Sequence, residues 1–97
     1  MEGYEFKTTF WTDFTIADHF GVDAIRDTYR RAFAEWKDNV IYLAELALVL
    51  NWKCWMHYES KREDLSDVYG ELYYQTNDYA YSTLEGDDMK YYYKVLD

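Results

Sequence analysis

No proline and only four glycines interrupt this chain. A sandwich or barrel of strands needs a turn roughly every 8–12 residues, and hence many more breakers, so the scarcity favours helices. The single cysteine, Cys54, excludes an internal disulfide and suits a reducing compartment. The opening stretch MEGYEFKTTF has no basic region followed by an apolar one, so no signal peptide is expected there. Long apolar runs are also missing: Val40 to Leu50, with one polar residue, Glu45, ends at Asn51 and Lys53. That falls short of the roughly 20 residues that cross a bilayer. A buried helix is the better reading of the run; a cytoplasmic location and no membrane partner are expected.

Bases are few, and the formal net charge is -9. It is distributed unevenly: residues 1–22 are net -3, residues 23–62 net +1, and residues 63–97 net -7. What the chain has in abundance is apolar and aromatic surface, 49 % and 22 %, including twelve tyrosines. That composition is globular rather than disordered. A chain of 97 residues makes one domain, residues 1–97, which buries roughly 60–65 % of its unfolded surface.

Periodicity supplies the elements. Tyr4, Phe6, Thr8 and Phe10 alternate with Glu5, Lys7 and Thr9; with no second strand to pair with, this segment is expected to be an extended arm packed on helices. A first helix is expected from about Asp13 to Phe20, with Thr12 before it and Gly21 at its stop. A second runs from Asp23 to Lys37 on the stripe Val22, Ile25, Tyr29, Phe33 and Trp36. Asp38 and Asn39 suggest a break, although the apolar phase carries through to Val40 and Leu43, so one long bent helix remains open. A third helix covers Val40–Tyr58. Ser60 and Glu63 form a capping-box pattern for a fourth, Lys61–Leu84, and Gly86 and Asp87 separate a short fifth, Met89–Val95. The fold class is therefore all-α: a compact bundle of four to five helices with an apolar central helix and an extended N-terminal arm.

The third helix is apolar on most sides. Val40, Leu43, Ala44, Ala47, Leu50 and Cys54 form a core stripe widened by Leu46, and Ile41, Glu45, Val49, Trp52 and Met56 form a second face. Such a helix is either the centre of a bundle or covered by a partner. If a partner covers it, Glu45, Val49, Trp52 and Met56 are the candidate interface of a homodimer. A buried Glu45 needs a partner, with Arg30, Arg31 and Lys37 the nearest candidates; a position at the edge of the face, reaching water, is slightly preferred.

On the fourth helix, Leu65, Val68, Leu72, Thr76, Tyr79 and Thr83 line one side. Asp64, Asp67, Glu71, Asp78 and Glu85 line the other, joined by Tyr74 and Tyr81. A solvated face is the ordinary reading. The sharper one is mimicry of nucleic-acid phosphates, since carboxylates three, four and seven residues apart on a helix stand roughly 5–10 Å apart. Tyr74, Tyr81, Tyr91 and Tyr93 are the tyrosines expected to be exposed.

Little points to chemistry. His19 and His57 lack ligand spacing along the chain; the alternative to two unrelated histidines is a cross-helix assembly of Asp18, His19, His57 and Glu59. Cys54 lies on the core stripe, where thiols are inert packing. No nucleophile elbow, phosphate loop or catalytic triad pattern occurs, so no catalytic residue, metal or cofactor is expected. Ala17, Phe20, Gly21 and Val22 match the turn of a helix-turn-helix, but Asp27 and Arg30 stand where that motif buries aliphatic residues. An ordinary αα turn is preferred, and nucleic acid is not expected as a direct partner.

The segments FKTTFWTDFTIADHFG, AIRDTYRRAFAEWKDN and LNWKCWMHYE resemble a group of small acidic proteins encoded on mobile elements of gut bacteria, across nearly the whole chain. The group has no assigned function, so no site residue carries over. The resemblance implies a cytoplasmic accessory of an element that must handle DNA and host defences. The expected function is a non-enzymatic protein-interaction module with a protein partner; the alternative is an acidic DNA-mimic inhibitor of a DNA-binding or nuclease protein.

Overall fold

The computed structural model describes residues 3–97. Five helices follow one another: α1 (Phe10–Asp18), α2 (Val22–Trp36), α3 (Val40–Glu59), α4 (Glu63–Thr83) and α5 (Gly86–Leu96), with no strand among the described residues. The radius of gyration is 12.8 Å, against about 12.5 Å expected for a compact chain of this length. No helix among the described residues is long and apolar enough to cross a membrane.

α3 is the centre. Every residue from Leu43 to Leu50 is buried, and the helix packs on α1, α2, α4 and α5. One core cluster joins Phe10, Phe14 and Ala17 of α1, Ile25 and Tyr29 of α2, Leu46, Val49 and Leu50 of α3, and Leu65, Val68, Tyr69 and Leu72 of α4. A smaller one sets Leu43, Ala44 and Ala47 of α3 against Ala80 and Tyr92. Tyr29 and Thr76 pair their hydroxyls inside the bundle at 2.9 Å, and the Tyr92 hydroxyl donates to Asn77 at 2.5 Å.

The helix breaks have local causes. Gly21, at φ +104°, takes a left-handed backbone that a side chain disfavours, and turns α1 into α2. Asn39 separates α2 from α3, its side chain accepting from the Ile41 and Tyr42 amides, so α2 and α3 are two helices rather than one bent one. Three expected starts are corrected, one of them that of α5, which begins at Gly86 instead of Met89. α1 begins at Phe10 instead of Asp13, because the Phe10 amide donates to the Thr8 hydroxyl at 3.2 Å and the Asp13 amide to the Thr9 carbonyl at 2.8 Å. Ser60 does not cap α4: it closes α3 with its amide on the Met56 carbonyl, Lys61 turns left-handed at φ +60°, and α4 starts at Glu63.

Residues 4–9 are the N-terminal arm: 4–6 carry no regular structure and 7–9 bend toward α1. Tyr4, Phe6 and Thr8 are half-buried and Glu5, Lys7 and Thr9 exposed. What the arm docks on is Glu45. This carboxylate is fully buried and does not reach water or any of Arg30, Arg31 and Lys37. Its Oε1 accepts from the Tyr4 hydroxyl (3.0 Å) and the Lys7 amide (2.8 Å), and its Oε2 from the Thr8 amide (2.8 Å) and the Thr8 hydroxyl. Four donors compensate the loss of water that burial imposes on a carboxylate. The charge also stands near the N-terminus of α1, where the helix dipole favours it. Burial, and after it the hydrogen bond to Glu45, pushes the Tyr4 phenol well above its ordinary value.

Candidate functional site

The arm covers part of α3's second face. Glu45 and Val49 are fully buried within the chain, Val49 in the main core cluster. Trp52 is half-buried beneath Tyr4 and Phe6, with ring centroids 5.7 and 6.1 Å away in edge contacts. Only Met56, 39 % exposed, remains at the surface with Ile41. Where the sequence left a bundle core or a homodimer seam open, the chain's own arm lies against part of the helix, its aromatic side on Trp52 and its donors on the Glu45 carboxylate.

The acidic face of α4 is open. Asp64, Asp67, Glu71 and Asp78 are all exposed, as are Tyr74 and Tyr81; Glu85, expected on the same face, is exposed too but lies beyond the end of α4, before α5; Tyr91 and Tyr93 are half-buried against the smaller core cluster. Two of the acids have cationic neighbours. Glu71 accepts from Arg26 at 2.8 Å, which lowers the glutamate from its ordinary range, and Asp64 stands 4.0 Å from Arg62.

Asp18, Lys53, His57 and Tyr69 form a cluster that residue types alone did not reveal. One oxygen of Asp18 lies 3.0 Å from the Lys53 ammonium and 3.0 Å from His57 Nε2, and the other accepts from the Tyr69 hydroxyl at 2.5 Å. Lys53 also donates to the Thr15 hydroxyl at 2.6 Å and stands 4.4 Å above the Trp11 ring. Burial, then the hydrogen bond to Asp18, drives the Tyr69 phenol upward. Acid–base chemistry uses such residues, but it needs a substrate within hydrogen-bond reach. Here Lys53 is 1 % exposed, and neither groove described below is lined by any of the four. The cluster ties α1 to α3 and α4. His19 and Glu59, considered with Asp18 and His57 as ligands, are exposed and not part of it. Among the described residues no group of three or more His, Cys, Asp or Glu is placed to hold a metal ion.

Two grooves flank α2. The one between α2 and α4, about 540 Å³, has Tyr29, Phe33 and Tyr79 in its walls and Arg26, Arg30 and Lys37 on its rim. Each of those cations already has an acid: Glu71 at 2.8 Å, Asp27 at 2.6 Å and Asp38 at 3.5 Å. The other groove, about 690 Å³, runs between α1 and α2. Phe10, Phe14 and Ala17 of α1 enter the core, whereas Ile16 on its other side, and Phe20 in the turn that follows, stand over this groove, 55 % and 77 % exposed. The α2 wall repeats every fourth residue as Ala24, Thr28, Ala32 and Trp36. The exposed Phe20 also separates the α1–α2 turn from the DNA-reading motif whose small-residue turn it matches. The clue in the sequence was the pair Ile16 and Phe20, one turn apart, on a helix whose other side was already apolar.

Comparison of the chain with protein families, with curated proteins and with solved structures returns no match, so a functional reading rests on these residues.

Proposed function

We propose that this chain is a non-enzymatic protein-interaction module, acting in the cytoplasm as an accessory of a mobile element. The observation that carries the reading is the groove between α1 and α2, with Ile16 and Phe20 held in water above it. Burying a side chain of this kind is worth about 1.5–3 kcal/mol. Two large apolar side chains left out of the core, one turn apart beside a groove of mixed polarity, offer a partner a contact that water does not satisfy. The buried Asp18 cluster supports the non-enzymatic half of the reading, since its polar atoms face one another. The test is site-specific photo-crosslinking in the native cell from position 20, with position 78 on the acidic face as a control. A discrete protein adduct at position 20 that is lost in the Ile16→Ser background supports the reading; adducts from position 78 alone refute it.

The exposed acids on α4 favour a second reading, the DNA mimic. Asp67 and Asp78 on α4, and Glu85 just beyond its end, have no ion-pair partner within 4.0 Å among the described residues, so these three stand as free negative charge. Under that reading duplex DNA displaces the protein from a basic partner, and neutralising Asp67 and Asp78 weakens the complex and its salt dependence.

A further inference from the structure

We infer that the groove between α1 and α2 receives an amphipathic helix with basic flanks, about three turns long. The inference rests on the interaction-module reading and names the chemistry of the partner. Shape comes first. The groove lies between two helices, and no sheet edge among the described residues offers strand pairing. Its α2 wall carries small side chains at Ala24, Thr28 and Ala32, and small residues at a contact let helix axes approach to the near end of the usual 8–10 Å range. From Ala24 to Trp36 the wall is about 18 Å long at 1.5 Å per residue, which matches about 12 residues of a docked helix. Ile16 and Phe20 on one side and Trp36 at the far end offer the apolar contacts that anchors at i, i+4 and i+7 require.

Charge selects the flanks. The rim carries Asp13 on α1 and Asp27 and Glu35 on α2, against one cation, Arg31. Asp13 and Glu35 have no ion-pair partner among the described residues, and Asp27 holds only the exposed Arg30 at 2.6 Å, a contact that solvent screening makes easy to exchange. Along α2 the rim reads acid, base, acid at positions 27, 31 and 35, one turn apart. A bound helix would therefore place Lys or Arg opposite Asp27 and Glu35 and leave Arg31 an uncharged or acidic neighbour. The net charge of -9 attracts such a partner from a distance. The same charge disfavours a second copy of this chain, whose groove presents the same carboxylates, and an anionic lipid surface.

The test uses the full chain and two labelled peptides of about 18 residues, each with Leu at i, i+4, i+7 and i+11; one has Lys on both flanks and the other Glu. Fluorescence anisotropy at low and high salt should show the Lys peptide binding at least tenfold more tightly than the Glu peptide, with the preference shrinking as salt rises. Phe20→Ser and, separately, Ile16→Ser should each weaken the Lys peptide about tenfold or more while the circular dichroism stays that of the wild type. Equal affinity for the two peptides overturns the charge assignment, and no binding of either overturns the inference. Lys-peptide binding indifferent to both substitutions but lost with Asp67→Asn and Asp78→Asn also overturns it, placing the peptide on α4. So does a concentration-dependent dimer in sedimentation that Phe20→Ser abolishes, which makes a second copy the occupant. If the peptides fail but position 20 still crosslinks a protein in the cell, the interaction reading stands and only the partner's chemistry is wrong.

Discussion

Replacing Glu45 by glutamine removes one formal charge and almost no volume, so its effect isolates what the carboxylate does for the arm. Both oxygens are in use, and each faces one backbone amide, Lys7 at Oε1 and Thr8 at Oε2, both at 2.8 Å. A glutamine side chain offers one acceptor oxygen and one donor nitrogen. The hydroxyls of Tyr4 and Thr8 can rotate to accept, but a backbone N–H cannot. In either orientation one main-chain donor therefore meets another donor. An unsatisfied donor costs about 1–3 kcal/mol, and weakening the charge-assisted bonds on the remaining oxygen forfeits about 1 kcal/mol more. Glu45→Gln is thus expected to destabilise the protein by about 2–4 kcal/mol, a large share of the 5–15 kcal/mol typical of a domain. Urea unfolding followed by helical circular dichroism measures that loss. Trypsin measures its location: Lys7 has an exposed side chain on a backbone held at the carboxylate, and cleavage after it should accelerate in the variant under native conditions. A variant within about 0.5 kcal/mol of wild type, cut no faster at Lys7, would refute the reasoning and leave the arm held by the Tyr4 and Phe6 rings alone.

Asp18→Leu strands the buried Lys53 ammonium and should cost about 3–5 kcal/mol in urea unfolding, most of it recovered when Lys53→Met is added; an additive double variant would mean the two are not a pair. Tyr4, Tyr29, Tyr69 and Tyr92 have phenols raised chiefly by burial. Their protonated forms are favoured in the folded state, so their contribution is complete below about pH 10, the unfolded value, and declines as pH rises beyond it. Stability should fall above about pH 10, and these four should ionise at 295 nm together with the loss of helix; tyrosinate absorbance that reaches its full value while the helix signal is intact would contradict their burial.

The five helices and most of their breaks were legible because they follow from local chemistry: apolar spacing, Gly21, Asn39, and the alternation of residues 4–10. The errors arose where a local signal competed with a long-range one. Ser60 and Glu63 satisfy the capping pattern, yet α3 runs on through Glu59 and claims Ser60 for its own last turn. Glu45 looked like an edge residue because two of its four partners are backbone amides, 37 and 38 positions away, and an amide has no letter in a sequence. Its burial in turn took up part of the face on which Val49 and Trp52 had suggested a seam. Asp18 joins Lys53 and His57 only through the crossing of α1 over α3. The spacing of Lys53 and His57, one turn apart, was visible; which acid would meet them was not. The groove between α1 and α2 was hidden differently: Ile16 and Phe20 are ordinary core residues by type, their spacing marked a second apolar side, and the packing of Phe10, Phe14 and Ala17 decides that this side is the one left outside.

α3 holds seven fully or nearly fully buried apolar side chains between Leu43 and Leu50, whereas α5 contributes one, Tyr92. Such asymmetry sets an order of opening. A helix held by one fully buried ring and the half-buried Tyr91, Tyr93, Val95 and Leu96 can detach at a lower free energy than the global unfolding of the domain, while α3, packed on all four other helices, is the last to open. Amide exchange would then be graded through the molecule, fastest in α5 and slowest in the middle of α3. Each detachment of α5 would briefly bare the small side chains of Ala44 and Ala47, a surface the resting bundle never shows.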